Sequence, residues 1–79
     1  MCVGVPARVV EVRGFEAKVD FGGGVVKSVD ATCIRDLKPG DYVIVHAGLI
    51  ISKISESEYR ELVKLWESIL EAAGESWVG

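Results

Sequence analysis

Apolar and polar residues alternate along much of the first 54 positions, which is the pattern of β-strands with one buried face. The alternation is clearest from 15 to 21, where Glu16, Lys18 and Asp20 occupy the polar positions. We expect the remaining side chains of this strand to face the core, namely Phe15, Ala17, Val19 and Phe21. The complete set of predicted strands is 5–12, 15–21, 25–30, 42–46 and 49–54.

Glycine and proline separate these segments and predict the turns between them. Arg13 and Gly14 predict a two-residue hairpin, because glycine adopts positive φ without steric cost. Three consecutive glycines at 22–24 predict a second turn, and Lys-Pro-Gly-Asp at 38–41 a third. Ala47 and Gly48 predict a tight bend between the last two strands.

A helix is predicted from Ser55 to Gly74. Ser55 and Glu58 have the spacing of a capping box, in which each side chain bonds the backbone N–H of the other residue. Apolar residues then recur at the spacing of one helical face. They are Tyr59, Leu62, Val63, Trp66, Ile69, Leu70 and Ala73.

Together these elements predict a mainly β protein in which five antiparallel strands close into a small barrel followed by one amphipathic helix. Closure of a barrel removes the exposed sheet edges that short strands would otherwise leave. The helix must cover apolar surface, either on the barrel or on a partner. We expect one domain over 1–79, with the barrel at 1–54, the helix at 55–74 and a tail at 75–79.

Composition narrows the function classes. The chain has 79 residues and a formal net charge of −3, and lysine and arginine never occur next to each other. A nucleic-acid-binding protein usually carries a basic stripe, so this balance argues against one. A domain this small has little room for both a core and a deep cleft, so we expect no enzyme activity. Without a membrane-length apolar run or signal peptide, we expect a cytoplasmic protein with reduced thiols.

Cys2 is the first candidate for chemistry. We expect removal of Met1, which would place a thiolate and an α-amine on one residue, where they can chelate a metal. A soft thiolate suits iron, copper or zinc. The alternative is that Cys2 is an incidental small apolar residue. For Cys33, in the irregular segment after the third strand, we expect a buried residue without a functional role.

His46 is the second candidate, and it is the only histidine in the chain. A single histidine on an apolar strand is usually structural, but it can donate a hydrogen bond or bind a metal at neutral pH. Cys2 and His46 together cannot complete a tetrahedral site. A metal held by them would be transient and shared with a partner, which suits a carrier better than a catalyst.

Two motifs resemble the HypC/HupF family of NiFe-hydrogenase maturation chaperones. The chain opens with Met-Cys-Val-Gly-Val-Pro at 1–6 and continues with Lys-Pro-Gly-Asp-Tyr-Val-Ile-Val-His-Ala-Gly at 38–48. The combination is specific, and the resemblance covers nearly the whole chain. Family members often have Leu-Ala where this chain has Val3-Gly4, and Gly-Phe-Ala where it has Gly48-Leu49-Ile50.

The resemblance implies an OB-like barrel with a C-terminal helix. It implies binding to a HypD-type maturation protein and to the precursor of the hydrogenase large subunit, with transfer of an Fe(CN)2CO group and no tightly bound cofactor. The family's essential cysteine corresponds to Cys2 and its histidine to His46. Pro6 and Gly48 correspond to positions that shape those two segments. We expect the free protein to be a monomer.

Two other functions are compatible with these features. An OB-type barrel could bind single-stranded nucleic acid through aromatic residues in a positive groove, but Phe15 and Phe21 are predicted to be buried. A small thiol enzyme or redox protein could use Cys2, but the chain has no second cysteine at CxxC spacing.

Overall fold

The computed structural model describes residues 4–72, with side chains described up to residue 69. Five strands form a closed barrel, and one helix follows them. The predicted fold class is therefore confirmed. The elements are β1 (Val5–Arg13), β2 (Glu16–Asp20), β3 (Val26–Asp30), β4 (Tyr42–His46), β5 (Leu49–Ile54) and α1 (Glu56–Ala72).

The first strand, β1, pairs with two neighbours in succession. Its first part is antiparallel to β4, from Val5 opposite Val45 to Arg8 opposite Tyr42. Its second part is antiparallel to β2, and the register shifts between Val9 and Glu11. A register shift of this kind means that one strand of the pair contains an extra residue. The extra residue bends the strand and increases its twist, which lets β1 curve around the barrel.

The barrel closes through a parallel pair, so the expectation of purely antiparallel strands was wrong. The order around the barrel is β1-β2-β3-β5-β4, and β3 and β5 run parallel, with Asp30 opposite Leu49. The reason is geometric. Strand directions cannot alternate all the way around a ring of five, so at least one neighbouring pair must be parallel.

The core consists of small and β-branched side chains on the inner faces of the strands. Such side chains suit a narrow barrel because they fill it without leaving voids. Ile34 and Leu37, from the connection between β3 and β4, pack against this core. The buried residues are Ala7, Val9, Ala17, Val19, Val29, Ala31, Val43, Val45 and Ile50.

Phe15 does not face the core, which corrects the prediction for the second strand. Its side chain is 76% exposed, and β2 begins one residue later, at Glu16. The hairpin turn is formed by Gly14 and Phe15, with Gly14 at a φ of 57°. A residue in the turn lies outside the strand alternation. The backbone N–H of Ala31 donates to the carbonyl of Phe15 at 2.7 Å.

The capping box at the start of α1 is confirmed. The N–H of Glu58 donates to Ser55 Oγ at 3.1 Å, and the N–H of Ser55 donates to Glu58 Oε1 at 3.0 Å. One turn later, Tyr59 packs on Tyr42 of β4 with ring centroids 4.4 Å apart. The helix thereby lies against β1 and β4.

The apolar face of α1 becomes more exposed along the helix. Tyr59 and Trp66 are half-buried, whereas Ile69 is 50% exposed. The barrel therefore covers the beginning of the predicted stripe better than its later part. The side chains of Leu70 and Ala73, and the predicted helix end at Gly74, lie outside the described residues. Within the described part of the chain, no helix is long and apolar enough to span a membrane.

Candidate functional site

His46 is the last residue of β4 and its side chain is exposed. Ala47 and Gly48 join β4 to β5 with φ values of 53° and 79°. Two consecutive residues with positive φ are characteristic of a type I′ turn, the two-residue turn that matches strand twist. The predicted bend is confirmed, and we call residues 46–49 the His46 hairpin.

Ala47 is unusual in this hairpin because it adopts the left-handed conformation without being glycine. For an alanine this conformation costs roughly 1–2 kcal/mol, since its Cβ approaches a carbonyl oxygen. The surrounding barrel therefore holds the turn in a strained state next to His46. The sequence predicts the turn, but it does not indicate that Ala47 adopts positive φ.

Backbone contacts with β3 hold the other side of the His46 hairpin. The N–H of Asp30 donates to the carbonyl of Gly48 at 2.8 Å, next to the parallel pair of Asp30 and Leu49. The hydroxyl and backbone N–H of Thr32 both donate to the carboxylate of Asp30. These two hydrogen bonds hold the pKa of Asp30 below its usual value, because both favour the charged carboxylate.

The start of the described chain lies along the end of β4. Pro6 is buried opposite Ile44, and Val5 is opposite Val45. At Pro6 the register gives β1 a neighbour only on the β4 side, and a missing N–H is tolerated at such an edge. Gly4 is also buried and contacts the same two residues of β4, which immediately precede His46.

The predicted site residues are thus partly brought together. Pro6 and the segment that begins at Gly4 lie beside the end of β4, where His46 and Gly48 form the turn. Cys2 lies outside the described residues, so its role stays a prediction. Only Val3 separates Cys2 from Gly4, so the Cα atoms of these two residues lie at most about 7 Å apart.

Cys33 is exposed, which corrects the expectation that it is buried. The N–H of Ile34 donates to the carbonyl of Ala31 at 3.3 Å, closing a turn with Thr32 and Cys33 at its tip. Ala31 and Ile34 contact the core at the two ends of this turn. A side chain at the tip of such a turn points away from the barrel.

A shallow groove lies beside the His46 hairpin and was not predicted from the sequence. Exposed Phe15 and Gly48 of the His46 hairpin both line it. Its charged residues are two acids and one arginine. The sequence feature that could have indicated this groove is Gly14, because a turn beginning there places Phe15 outside the strand. The lining residues are Arg13, Phe15, Glu16, Ser28, Val29, Asp30, Thr32 and Gly48.

Among the described residues, no group of three or more histidine, cysteine, aspartate or glutamate side chains is arranged to hold a metal ion. A metal bound at His46 would need ligands from outside the described residues.

Comparison with known proteins identifies the family. A model described as the HupF/HypC family matches residues 1–66, which include Cys2, Pro6 and the whole His46 hairpin. The chain belongs to the HupF/HypC family. The resemblance inferred from the two sequence motifs is therefore confirmed.

Curated HupF/HypC relatives match over most of their length. A protein named hydrogenase maturation factor HypC from Azotobacter chroococcum mcd 1 is 37% identical over 65 residues, covering 82% of this chain and 77% of the relative. The Cupriavidus necator protein of the same name is 36% identical, covering 87% and 77%. That of Escherichia coli K12 is 34% identical, covering 90% and 84%.

Proposed function

We propose that the protein is a hydrogenase maturation chaperone that acts by binding other proteins and has no enzymatic turnover of its own. The observation that carries this proposal is the family match over residues 1–66. The relatives are named hydrogenase maturation factors, and the family match extends through the barrel and into the helix.

In the finer form of the proposal, the cargo is the Fe(CN)2CO group. The protein binds a HypD-type maturation protein, takes part in handling the iron group there, and then binds the precursor of the hydrogenase large subunit. The Cys2 thiolate contacts iron or the partner directly. The partner completes the coordination, because thiolate and imidazole from this chain supply too few ligands. This transient binding would take place in the cytoplasm, with a free protein that is monomeric.

His46 has a supporting role in this proposal. It is exposed at the end of β4, beside the segment that leads to Cys2. An imidazole there can donate a hydrogen bond to the thiolate or to the partner at neutral pH. Because the type I′ turn follows directly, the backbone of His46 is held in a defined direction.

The chain offers a matched control for Cys2, because Cys33 is exposed in a turn and is absent from the described site. Cells carrying Cys2→Ala should fail to mature their hydrogenase, while cells carrying Cys33→Ser should mature it normally. Hydrogenase activity and processing of the large subunit measure the outcome. Normal maturation with Cys2→Ala would show that the thiol is not required.

A second experiment tests the cargo. The tagged protein is purified anaerobically from cell extract, iron is measured, and infrared spectra are recorded for CO and CN stretches. We expect co-purification of a maturation partner and these stretches in the wild-type sample, and loss of both with Cys2→Ala. Co-purification of the partner without CO and CN bands would contradict cargo binding but not partner binding.

One observation favours single-stranded nucleic-acid binding as a second candidate. Phe15 is exposed beside a groove at the barrel end, where an aromatic ring could stack on a base. Glu16 and Asp30 line the same groove and would repel phosphates. A gel shift with single-stranded RNA at low salt decides between the candidates, and we expect none. Turnover in a thiol-exchange assay would instead support a redox enzyme.

A further inference from the structure

One side of β3 has no strand beside it over most of its length. On its other side β3 pairs with β2 from Val26 to Asp30, but it pairs with β5 only at Asp30, opposite Leu49. Since β5 begins at Leu49, residues 26–29 extend past the start of that strand. Within residues 4–72, no other strand pairs with this side, which we call the β3 edge.

The hydrogen bonds between β2 and β3 show which backbone groups point to the β3 edge. The N–H of Ala31 donates to the carbonyl of Phe15 at 2.7 Å, and the N–H of Phe21 donates to the carbonyl of Val25 at 2.9 Å. In an antiparallel pair, every second residue makes such bonds, and the residues between them point their N–H and carbonyl groups away. The odd-numbered residues of β3 therefore bond β2, and the even-numbered ones point away from it.

Asp30 agrees with this alternation, because its N–H donates away from β2 to the carbonyl of Gly48 at 2.8 Å. Val26 and Ser28 are the other even-numbered residues of β3, and both are exposed. Within the described part of the chain, their backbone groups have no hydrogen-bond partner on the side away from β2. An extended peptide supplies carbonyl and N–H groups at the spacing that this edge presents.

The groove beside the His46 hairpin borders the β3 edge, since Ser28 and Gly48 both line it. Phe15 also lines the groove and is 76% exposed. An exposed aromatic ring attracts a lysine or arginine placed over its face. A peptide on the β3 edge would therefore have a contact for a long basic side chain.

The charges of the groove favour the same kind of occupant. Glu16 and Asp30 lie opposite each other on β2 and β3, an arrangement that is unfavourable for like charges. Neither carboxylate forms an ion pair with a described residue, whereas Arg13 is already paired with Glu11 at 2.9 Å. The groove thus has unbalanced negative charge, which a cation from outside would neutralise.

Lys27 argues against a second copy of this chain as the occupant. It lies opposite buried Val19, yet its own side chain is exposed. A lysine on an edge strand disfavours pairing between identical edges, because both copies contribute the same charge.

We propose that the β3 edge binds an extended, basic segment of a partner protein. The segment adds to the barrel as a strand that bonds Val26 and Ser28, and its lysine or arginine lies in the groove beside Glu16. The inference rests on the proposed function for the identity of the partner. The added strand would lie at the end of the barrel that carries the His46 hairpin.

The first experiment measures amide hydrogen exchange by NMR, with the HypD-type protein and the large-subunit precursor added separately. We expect slower exchange at Val26 and Ser28 with at least one of them, and little change at Lys27 and Val29, whose N–H groups already bond β2. Unchanged exchange at both edge amides with each bound partner would overturn the proposal. Slowing that appears on raising the protein concentration without a partner would overturn it in favour of pairing between copies.

The second experiment removes one donor of the β3 edge. Ser28→Pro deletes an N–H that points away from β2, so the barrel should stay folded, which circular dichroism checks. Partner binding measured by calorimetry should weaken by about tenfold or more, because a hydrogen bond is lost and the ring obstructs the added strand. Ser28→Ala keeps the N–H and should bind like the wild type. Equal binding by folded Ser28→Pro would contradict strand addition.

A third comparison tests the charge of the groove and does not depend on tolerance of proline. Glu16→Gln should weaken partner binding several-fold at low salt and reduce its salt dependence. Glu61→Gln is the matched control, because it removes the same charge at an exposed position of α1, which lies against β1 and β4. Equal weakening by both variants would refute a specific role of the groove.

Failure of the proposed function gives a different result. Neither partner would then bind the wild-type protein, and this inference would fall with the proposed function. Binding that leaves the amides of Val26 and Ser28 unchanged would overturn this inference alone.

Discussion

The left-handed conformation of Ala47 leads to a quantitative prediction for stability. Replacing Ala47 by glycine should remove a backbone penalty of roughly 1–2 kcal/mol. The glycine variant also has more conformational entropy in the unfolded chain, which offsets roughly 0.5–1 kcal/mol of the stability gained. The expected net gain is about 1 kcal/mol or slightly less. Ala47→Asn should gain about as much, since Asn-Gly is the preferred pair in type I′ turns.

Urea denaturation measured by circular dichroism, together with thermal melting, provides the assay. For a domain of 60–100 residues, 1 kcal/mol corresponds to a change in melting temperature of about 4–8 °C. Gly48→Ala is the matched control, because it introduces the same penalty at a φ of 79° and should destabilise by about 1 kcal/mol. If Ala47→Gly destabilised the protein as much as Gly48→Ala does, the assignment of strain to Ala47 would be refuted.

Three further predictions concern the helix and the hairpin support. Ser55→Ala should cost about 1 kcal/mol in unfolding free energy through loss of the N-cap, measured by urea denaturation. Tyr59→Ala should cost about 2 kcal/mol because its ring packs on Tyr42, and Tyr59→Phe should cost less. Thr32→Val should raise the pKa of Asp30 towards its usual value, followed by NMR titration. The lowered pKa of Asp30 in the folded state stabilises the fold at pH values above the pKa of Asp30 in the unfolded chain. This stabilisation is lost as the pH falls through the pKa of the folded state, so the stability of Thr32→Val should depend less on acid than that of the wild type.

The parts of the fold set by local patterns could be predicted from the sequence. The bounds of β4 and β5 match the prediction because local signals mark their ends. The Lys-Pro-Gly-Asp turn at 38–41 precedes β4, Ala47 and Gly48 separate the two strands, and the helix cap at Ser55 follows β5. The capping box was likewise predicted from a local pattern, the spacing of Ser55 and Glu58. Phe15 was misassigned because a shift of the hairpin turn by one residue removes a side chain from the strand pattern altogether.

Features that depend on contacts between residues distant in the sequence could not be predicted from local sequence patterns. The parallel pairing of β3 and β5 follows from the number of strands in a closed ring, not from either strand alone. The exposure of Cys33 follows from a turn between two core contacts. In the site, His46 and Pro6 were predicted, but the close approach of Gly4 to β4 requires the tertiary register.

The single parallel pair between β3 and β5 has a consequence for motion. Elsewhere each neighbouring pair of strands shares four or more residue pairs, whereas here the described register contains Asp30 and Leu49 only. Local opening should require least free energy at this position. The amide of Asp30 should therefore exchange with deuterium sooner than amides in the middle of β4. Such local opening would let the His46 hairpin adapt to a partner while the rest of the barrel stays folded.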